Sequence, residues 1–136
     1  MAWPFDSEAQ LDEWVEAYIV ANREQPTTDQ QRNDAALALE PAYTAFGAGQ
    51  PHAKAVWRFI MKVIARRPSE WALGVLASGP IEDLIGEYGD EFIDRIEAAA
   101  RRDPVFRRTL HGVWRTTSSE DVWARVVAAR GAQEDS

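Results

Sequence analysis

GPIEDLIGEYGDEFIDRIEAAARRDPVFRRTLHGVW, from Gly79 to Trp114, decides the fold, because it holds the densest run of helix starts, helix stops and charge in the chain. Pro80 precedes Ile81, Leu84, Ile85 and Tyr88, whose spacing of three, four and seven places them on one helical face. Proline is tolerated in a first turn, where its missing N–H has no intrahelical partner, and Glu82 and Asp83 suit the positive end of the helix dipole. Gly79 and Gly89 read as C-terminal caps, since glycine adopts the left-handed conformation without a Cβ clash. Asp90 then caps a helix that buries Phe92, Ile93, Ile96 and the alanines 98 to 100 and ends at Arg101 and Arg102. Asp103 followed by Pro104 starts another helix, with Val105, Phe106, Leu110 and Val113 on its apolar side. Short helices joined by such short turns fold back on one another as helical hairpins.

GPIEDLIGEYG, DRIEAAARRDPVFRRTL and GVW together resemble an uncharacterised bacterial family known only as a domain of unknown function. The resemblance covers residues 57 to 125, leaves the first 50 residues outside it, and rests on glycine, proline and tryptophan positions at fixed offsets. It implies a bacterial, cytoplasmic, all-helical protein and carries over no activity and no catalytic residue.

Outward from the centre, Ser69 caps a helix through Trp71, Leu73, Val75 and Leu76, and Pro68 ends the one before it. That earlier helix, starting near Pro51, has Ala53, Val56, Trp57, Ile60, Val63 and Ile64 as its apolar face. Ser7 with Gln10 forms a capping box ahead of Leu11, Trp14, Val15, Tyr18 and Ile19, which predicts a first helix over 7–22. A second helix is expected over 28–40, restarting or kinking at Pro41 before a loop to residue 50; Trp3 and Phe5 are expected to tuck against the first. At the other end, Ser118 with Asp121 predicts a cap for a last helix over 119–130, with Val122, Val126 and Trp123 inward and Gly131 closing it, then a tail over 132–136. The expected fold is all-α, with seven or eight short helices packed as hairpins in a compact bundle or a HEAT- or TPR-like stack. One domain spans 1–136: N-terminal helices over 1–50, a hairpin core over 51–130 and the tail. Phe59–Pro68 and Phe92–Pro104 echo each other at a repeat-like offset, although an apolar face followed by arginines and proline is also common helix grammar.

The chain has 136 residues, a net charge of −7, 46% hydrophobic residues, six tryptophans and no cysteine. Disulfides, zinc ribbons and thiol catalysis are thereby excluded. The acidic balance disfavours nucleic acid, whose affinity depends on clustered Lys and Arg, and favours a basic partner. No signal-peptide pattern and no membrane-length apolar run is present, so a cytoplasmic location away from membranes is expected.

Four groups of residues are candidates for function. Glu82, Asp83, Glu87, Asp90, Glu91 and Asp94, extended by Glu97, form an acidic cluster able to meet a basic patch; the plainer reading is helix-start carboxylates on a solvated face, partly neutralised by Arg95. Lys54, Arg58, Lys62 and Arg66 line one side of a helix, where like charges repel, so the acidic cluster is the expected internal counterpart and an anionic ligand the alternative. Arg101, Arg102, Arg107, Arg108 and His111 offer an anion-binding alternative, since arginine holds phosphate and carboxylate in bidentate pairs. Trp57, Trp71, Trp114 and Trp123 lie at or beside apolar faces; most should be core, with one or two at a rim. His52 and His111 give no metal spacing, and the glycines form no phosphate loop.

The leading expectation is a small acidic protein-binding domain, of immunity or inhibitor type, that occludes a basic effector. Two other readings stay open: a small anionic-ligand-binding protein or enzyme built on the arginine-rich helix pair, and a structural or adaptor helical-repeat module. The sequence offers no catalytic residue, no metal site and no cofactor motif, which weighs against an enzyme. It leaves the oligomeric state open.

Overall fold

The structure is a computed structural model, and it describes residues 8–33 and 53–131. Those residues are all-α: six α-helices, the start of a further helix at residue 29, a π-helical turn and a 3-10 turn, with no strand among them. The helices are α1 (Glu8–Ala21), α2 (Ala53–Ala65), α3 (Glu70–Leu76), α4 (Glu82–Arg102), α5 (Pro104–Thr109) and α6 (Glu120–Arg130). The Ser7 cap, Trp3, Phe5, the second helix beyond residue 33, Pro41, His52 and the tail over 132–136 lie outside the described residues. Contacts divide the chain into two units, Met1–Leu73 and Gly74–Ser136, where the sequence suggested one domain.

In the first unit, α1 buries Leu11, Val15 and Tyr18, and α2 buries Ala53, Ala55, Phe59, Ile60, Val63 and Ile64. Tyr18 meets Phe59 edge to face, with ring centroids 5.2 Å apart. The buried stripe of α2 is turned from the expected one: Phe59 is inside, while Val56 and Trp57 are half-buried. A helix begins at residue 29, with Thr28 Oγ1 accepting from the Gln31 amide at 3.1 Å. Ser69 caps α3 as expected, its Oγ accepting from the Ala72 amide at 3.2 Å.

In the second unit the chain stays helical through Gly79, whereas the break expected at Gly89 is present one residue earlier, at Tyr88. α3 runs through a π turn, Ala77–Ile81, directly into α4. Pro80 lies inside this turn. In a regular α-helix its ring would press on the carbonyl four residues back; the wider π turn relieves that clash, and the Glu82 amide reaches back five residues to the Ala77 carbonyl. α4 continues past Gly89 with a kink at Tyr88 (φ −131°, ψ 23°). Asp90 therefore lies in the first turn after the kink, with helical backbone of its own, and is not itself the cap.

The two glycines in α4 make room for neighbours. A Cβ on Gly89 would lie 2.7 Å from Val122 Cγ1 in α6, and one on Gly86 would lie 2.5 Å from Thr116 Oγ1. Thr117 Oγ1 also donates to the Gly86 carbonyl at 2.9 Å, just before the kink at Tyr88. Gly131, by contrast, takes a positive φ of 68° and ends α6 as the sequence implies.

Asp103 and Pro104 act as predicted, with Asp103 Oδ1 accepting from the Val105 amide at 2.9 Å and proline in the first turn. α6 is capped by Ser119, whose Oγ accepts from the Val122 amide at 3.2 Å, and not by Ser118, which is buried. Phe92, Ile96, Phe106, Leu110 and Val126 are fully enclosed and form the centre of this unit. The echoed segments also differ: Pro68 precedes the Ser69 cap, whereas Pro104 follows the Asp103 cap. Shared helix grammar, and not shared turn geometry, accounts for their similarity.

Candidate interaction surface

The basic stripe has its counterpart in α1. Arg58 pairs with Glu8, Lys62 with Glu8 at 2.6 Å and Asp12 at 2.7 Å, and Arg66 with Glu16. Glu8, Asp12 and Glu16 repeat every four residues, as do Arg58, Lys62 and Arg66, and the constant offset means that α1 and α2 run in the same direction. Hydrogen bonds from Lys62 and then Arg58 hold the Glu8 carboxyl below its ordinary pKa, and those to Asp12 and then Glu8 raise Lys62. The expected pairing of this stripe with the acidic cluster of α4 is thus corrected. The matching signal, three acids four residues apart in α1, was present in the sequence.

The acidic cluster lies along α4 on both sides of the Tyr88 kink, with Glu82, Asp83 and Glu87 before it and Asp90, Glu91, Asp94 and Glu97 after it. Its far end is neutralised: Arg125 of α6 reaches Asp94 at 2.6 Å and Glu97 at 2.6 and 3.0 Å, and these bonds hold Glu97 below its ordinary pKa. Arg95, the expected neutralising cation, instead lies over the Phe92 ring, 4.9 Å from its centroid. Nothing in the spacing of the sequence singled out Arg125, because its partners sit on another helix.

The near end of the cluster is different. Glu82 Oε1 accepts from the Trp114 backbone amide at 2.8 Å. Asp83, Glu87, Asp90 and Glu91 are exposed and have no ion pair among the described residues. Although Asp83 as a residue is exposed, partial desolvation of its carboxyl, followed by repulsion from Glu87 and Glu82, raises its pKa.

Against this end of α4 lies the 113–119 segment. Val113 and Ser118 are buried at its two ends, Thr117 is bonded to Gly86, and Arg115 Nε donates to the Ser118 carbonyl at 3.2 Å. Between these anchors Trp114 is 77% exposed, the most open large apolar side chain described; Trp71 follows at 37% among the tryptophans. Trp57 and Trp123 are half-buried, and Arg130 lies over the Trp123 ring at 5.4 Å.

Two members of the arginine group are engaged inside the fold. Arg107 Nη1 donates to the Ala100 carbonyl at 3.2 Å, at the end of α4. His111 Nε2 is 3.0 Å from the Arg130 carbonyl, and since a carbonyl only accepts, this nitrogen carries the proton. Arg101, Arg102 and Arg108 are exposed. Among the described residues no group of three or more His, Asp and Glu side chains could hold a metal ion, and no helix is long and apolar enough to cross a membrane.

A family described as "Family of unknown function (DUF6869)" matches residues 25–133, a longer stretch than the motifs in the centre of the chain define. No curated protein and no solved structure matches the chain.

Proposed function

We propose, for a chain that belongs to the DUF6869 family of unknown function, that it is a cytoplasmic protein-binding domain whose acidic and aromatic surface holds or occludes a basic protein in the manner of an inhibitor or immunity protein. The observation that carries this reading is Trp114, 77% exposed on an anchored segment beside carboxylates that no cation of the described chain neutralises. Tryptophan anchors ringed by charge are the usual centres of binding energy in protein interfaces, and carboxylates without counter-charge accelerate encounter with a basic surface. The overall charge of −7 acts in the same sense.

Asp94 and Glu97 fall outside the proposed contact, because Arg125 already holds them. The working set is Glu82, Asp83, Glu87, Asp90 and Glu91 with Trp114. The test is affinity capture from the native lysate at low and at high salt, followed by association kinetics of the captured protein with a variant carrying Asp83→Lys, Glu87→Lys and Glu91→Lys. On-rate should fall by about tenfold or more at low salt while the melting temperature holds. An unchanged on-rate would remove this surface from the interface. A thermal-shift panel of nucleotides and anions tests the arginine alternative, which the use of Arg107 and His111 as internal hydrogen-bond donors leaves with fewer groups.

A further inference from the structure

We propose that the Trp114 surface is a receptor for an arginine side chain on an exposed segment of the partner, with the guanidinium lying on the indole face and pairing with the Asp83 and Glu87 carboxylates. This rests on the protein-binding reading and specifies what is bound.

Three features lead to arginine. The indole is open, and its segment is fixed by groups other than the ring: the Trp114 amide on Glu82, Thr117 on Gly86, and Val113 and Ser118 buried on either side. Gly86 has no side chain, which lets the segment lie directly against α4; the backbone that carries the ring is thus fixed in advance of binding, which lowers the ordering cost. Asp83 and Glu87, each next in sequence to a residue that holds this segment (Glu82 and Gly86), are one helical turn apart, mutually repelling and without a cation among the described residues.

A guanidinium satisfies both halves of such a site. Being planar and weakly hydrated, it stacks on an aromatic face while its edge donates paired hydrogen bonds to carboxylate, whereas a lysine ammonium is a compact, strongly hydrated point charge. Among the described residues arginine already lies over aromatic rings, Arg130 on Trp123 and Arg95 on Phe92. Trp114, far more open than either ring, is given no such arginine from within the described chain.

The experiment is an NMR titration of the isotope-labelled full chain with an acetylated peptide alternating arginine and glycine, and with its lysine counterpart, at low salt. The Trp114 indole Nε1–H and the backbone amides of 82–87 and 113–117 should shift saturably, and the lysine peptide should bind several-fold more weakly. Trp114→Ala should weaken arginine-peptide binding about tenfold at unchanged melting temperature, Trp114→Phe should restore part of it, and Asp83→Asn with Glu87→Gln should weaken it comparably. Equal affinity for the two peptides, or saturable shifts that bypass Trp114, would overturn the arginine receptor. If charge reversal abolishes peptide binding while Trp114→Ala leaves it intact, the receptor falls and the acidic surface stands. If neither change matters, both fall.

Discussion

Acidic residues four apart appear on α1 and again on α4, and the two sets meet opposite fates. On α1, Glu8, Asp12 and Glu16 face Arg58, Lys62 and Arg66 in a ladder with a constant offset. On α4, Arg125 neutralises only Asp94 and Glu97, and Asp83 to Glu91 remain bare next to an open tryptophan. Exposed ion pairs add little to stability and are screened by salt, so the α1 ladder serves mainly to fix how two amphipathic helices register. The chain therefore shows what a neutralised acidic face looks like, and the near end of α4 departs from it. That departure is what supports the proposed partner surface over ordinary solvated charge.

If the regions differ in their surfaces and not in their cores, Phe59→Ala in the first and Phe92→Ala in the second should each cost about 3–5 kcal/mol, since both rings are fully enclosed. Chemical denaturation measures this, and a loss below about 1 kcal/mol at either site would show that its core is not closed. A smaller effect is expected where α4 meets α6. Gly89→Ala gains about 1 kcal/mol of helix propensity but places a methyl 2.7 Å from the buried Val122, an overpacking cost of about 1–3 kcal/mol, so the net change should be destabilising. Gly74→Ala is the control: nothing lies within 4 Å of its Cβ position, and the same propensity gain should appear as added stability.

Smaller still, and opposite in sign between the two regions, are the charge reversals. Lys62→Glu sets a carboxylate against Glu8 and Asp12 and should lower the melting temperature at low salt. Glu87→Lys places a cation beside Asp83 and should leave it unchanged or raise it. Similar losses for both would erase the contrast. The finest distinction is in titration. Asp83 should protonate at a higher pH than an ordinary aspartate, and Glu8 and Glu97 at a lower pH than an ordinary glutamate. By linkage, the stabilisation from Glu8 and Glu97 is complete above their unfolded values and is lost as pH falls through their folded ones. The strain at Asp83 is present above its folded value and relieved as pH falls through it. Carboxyl NMR reads each direction, and Asp83 titrating below the ordinary aspartate value, or Glu8 or Glu97 above the ordinary glutamate value, would contradict it.

Much of the fold was legible because local signals and local structure coincide. The Asp103–Pro104 start, the Ser69 cap and the Gly131 stop each act through atoms within three residues, and each stands where the sequence places it. Gly79 misled for the opposite reason, and Gly89 did so in part: the chain kinks beside it, at Tyr88, but Gly89 takes no left-handed conformation. Glycine marks either a left-handed turn or a close approach, and only the position of Val122, thirty-odd residues away, decides between them at Gly89. The candidate surface was half legible: the α4 acids were visible as a run, whereas the capture of Asp94 by Arg125 and the exposure of Trp114 depend on how α6 and the 113–119 segment return to α4. The partner of the basic stripe was readable in principle, since Glu8, Asp12 and Glu16 carry the same four-residue period.

The π turn at Ala77–Ile81 also fixes phase. Each residue added to a helix rotates everything beyond it by about 100°, and a π turn is in effect one added residue that the helix absorbs without stopping. Upstream of it Leu76 points inward, and downstream Ile81, Leu84 and Ile85 do so again. A chain one residue shorter between Ala77 and Ile81 could keep its helix, yet it would swing either those apolar residues or the whole row of α4 carboxylates to the wrong side. Length in this short stretch is therefore as strictly constrained as residue type, and a single-codon deletion there would act as an angular error propagated along twenty residues of helix.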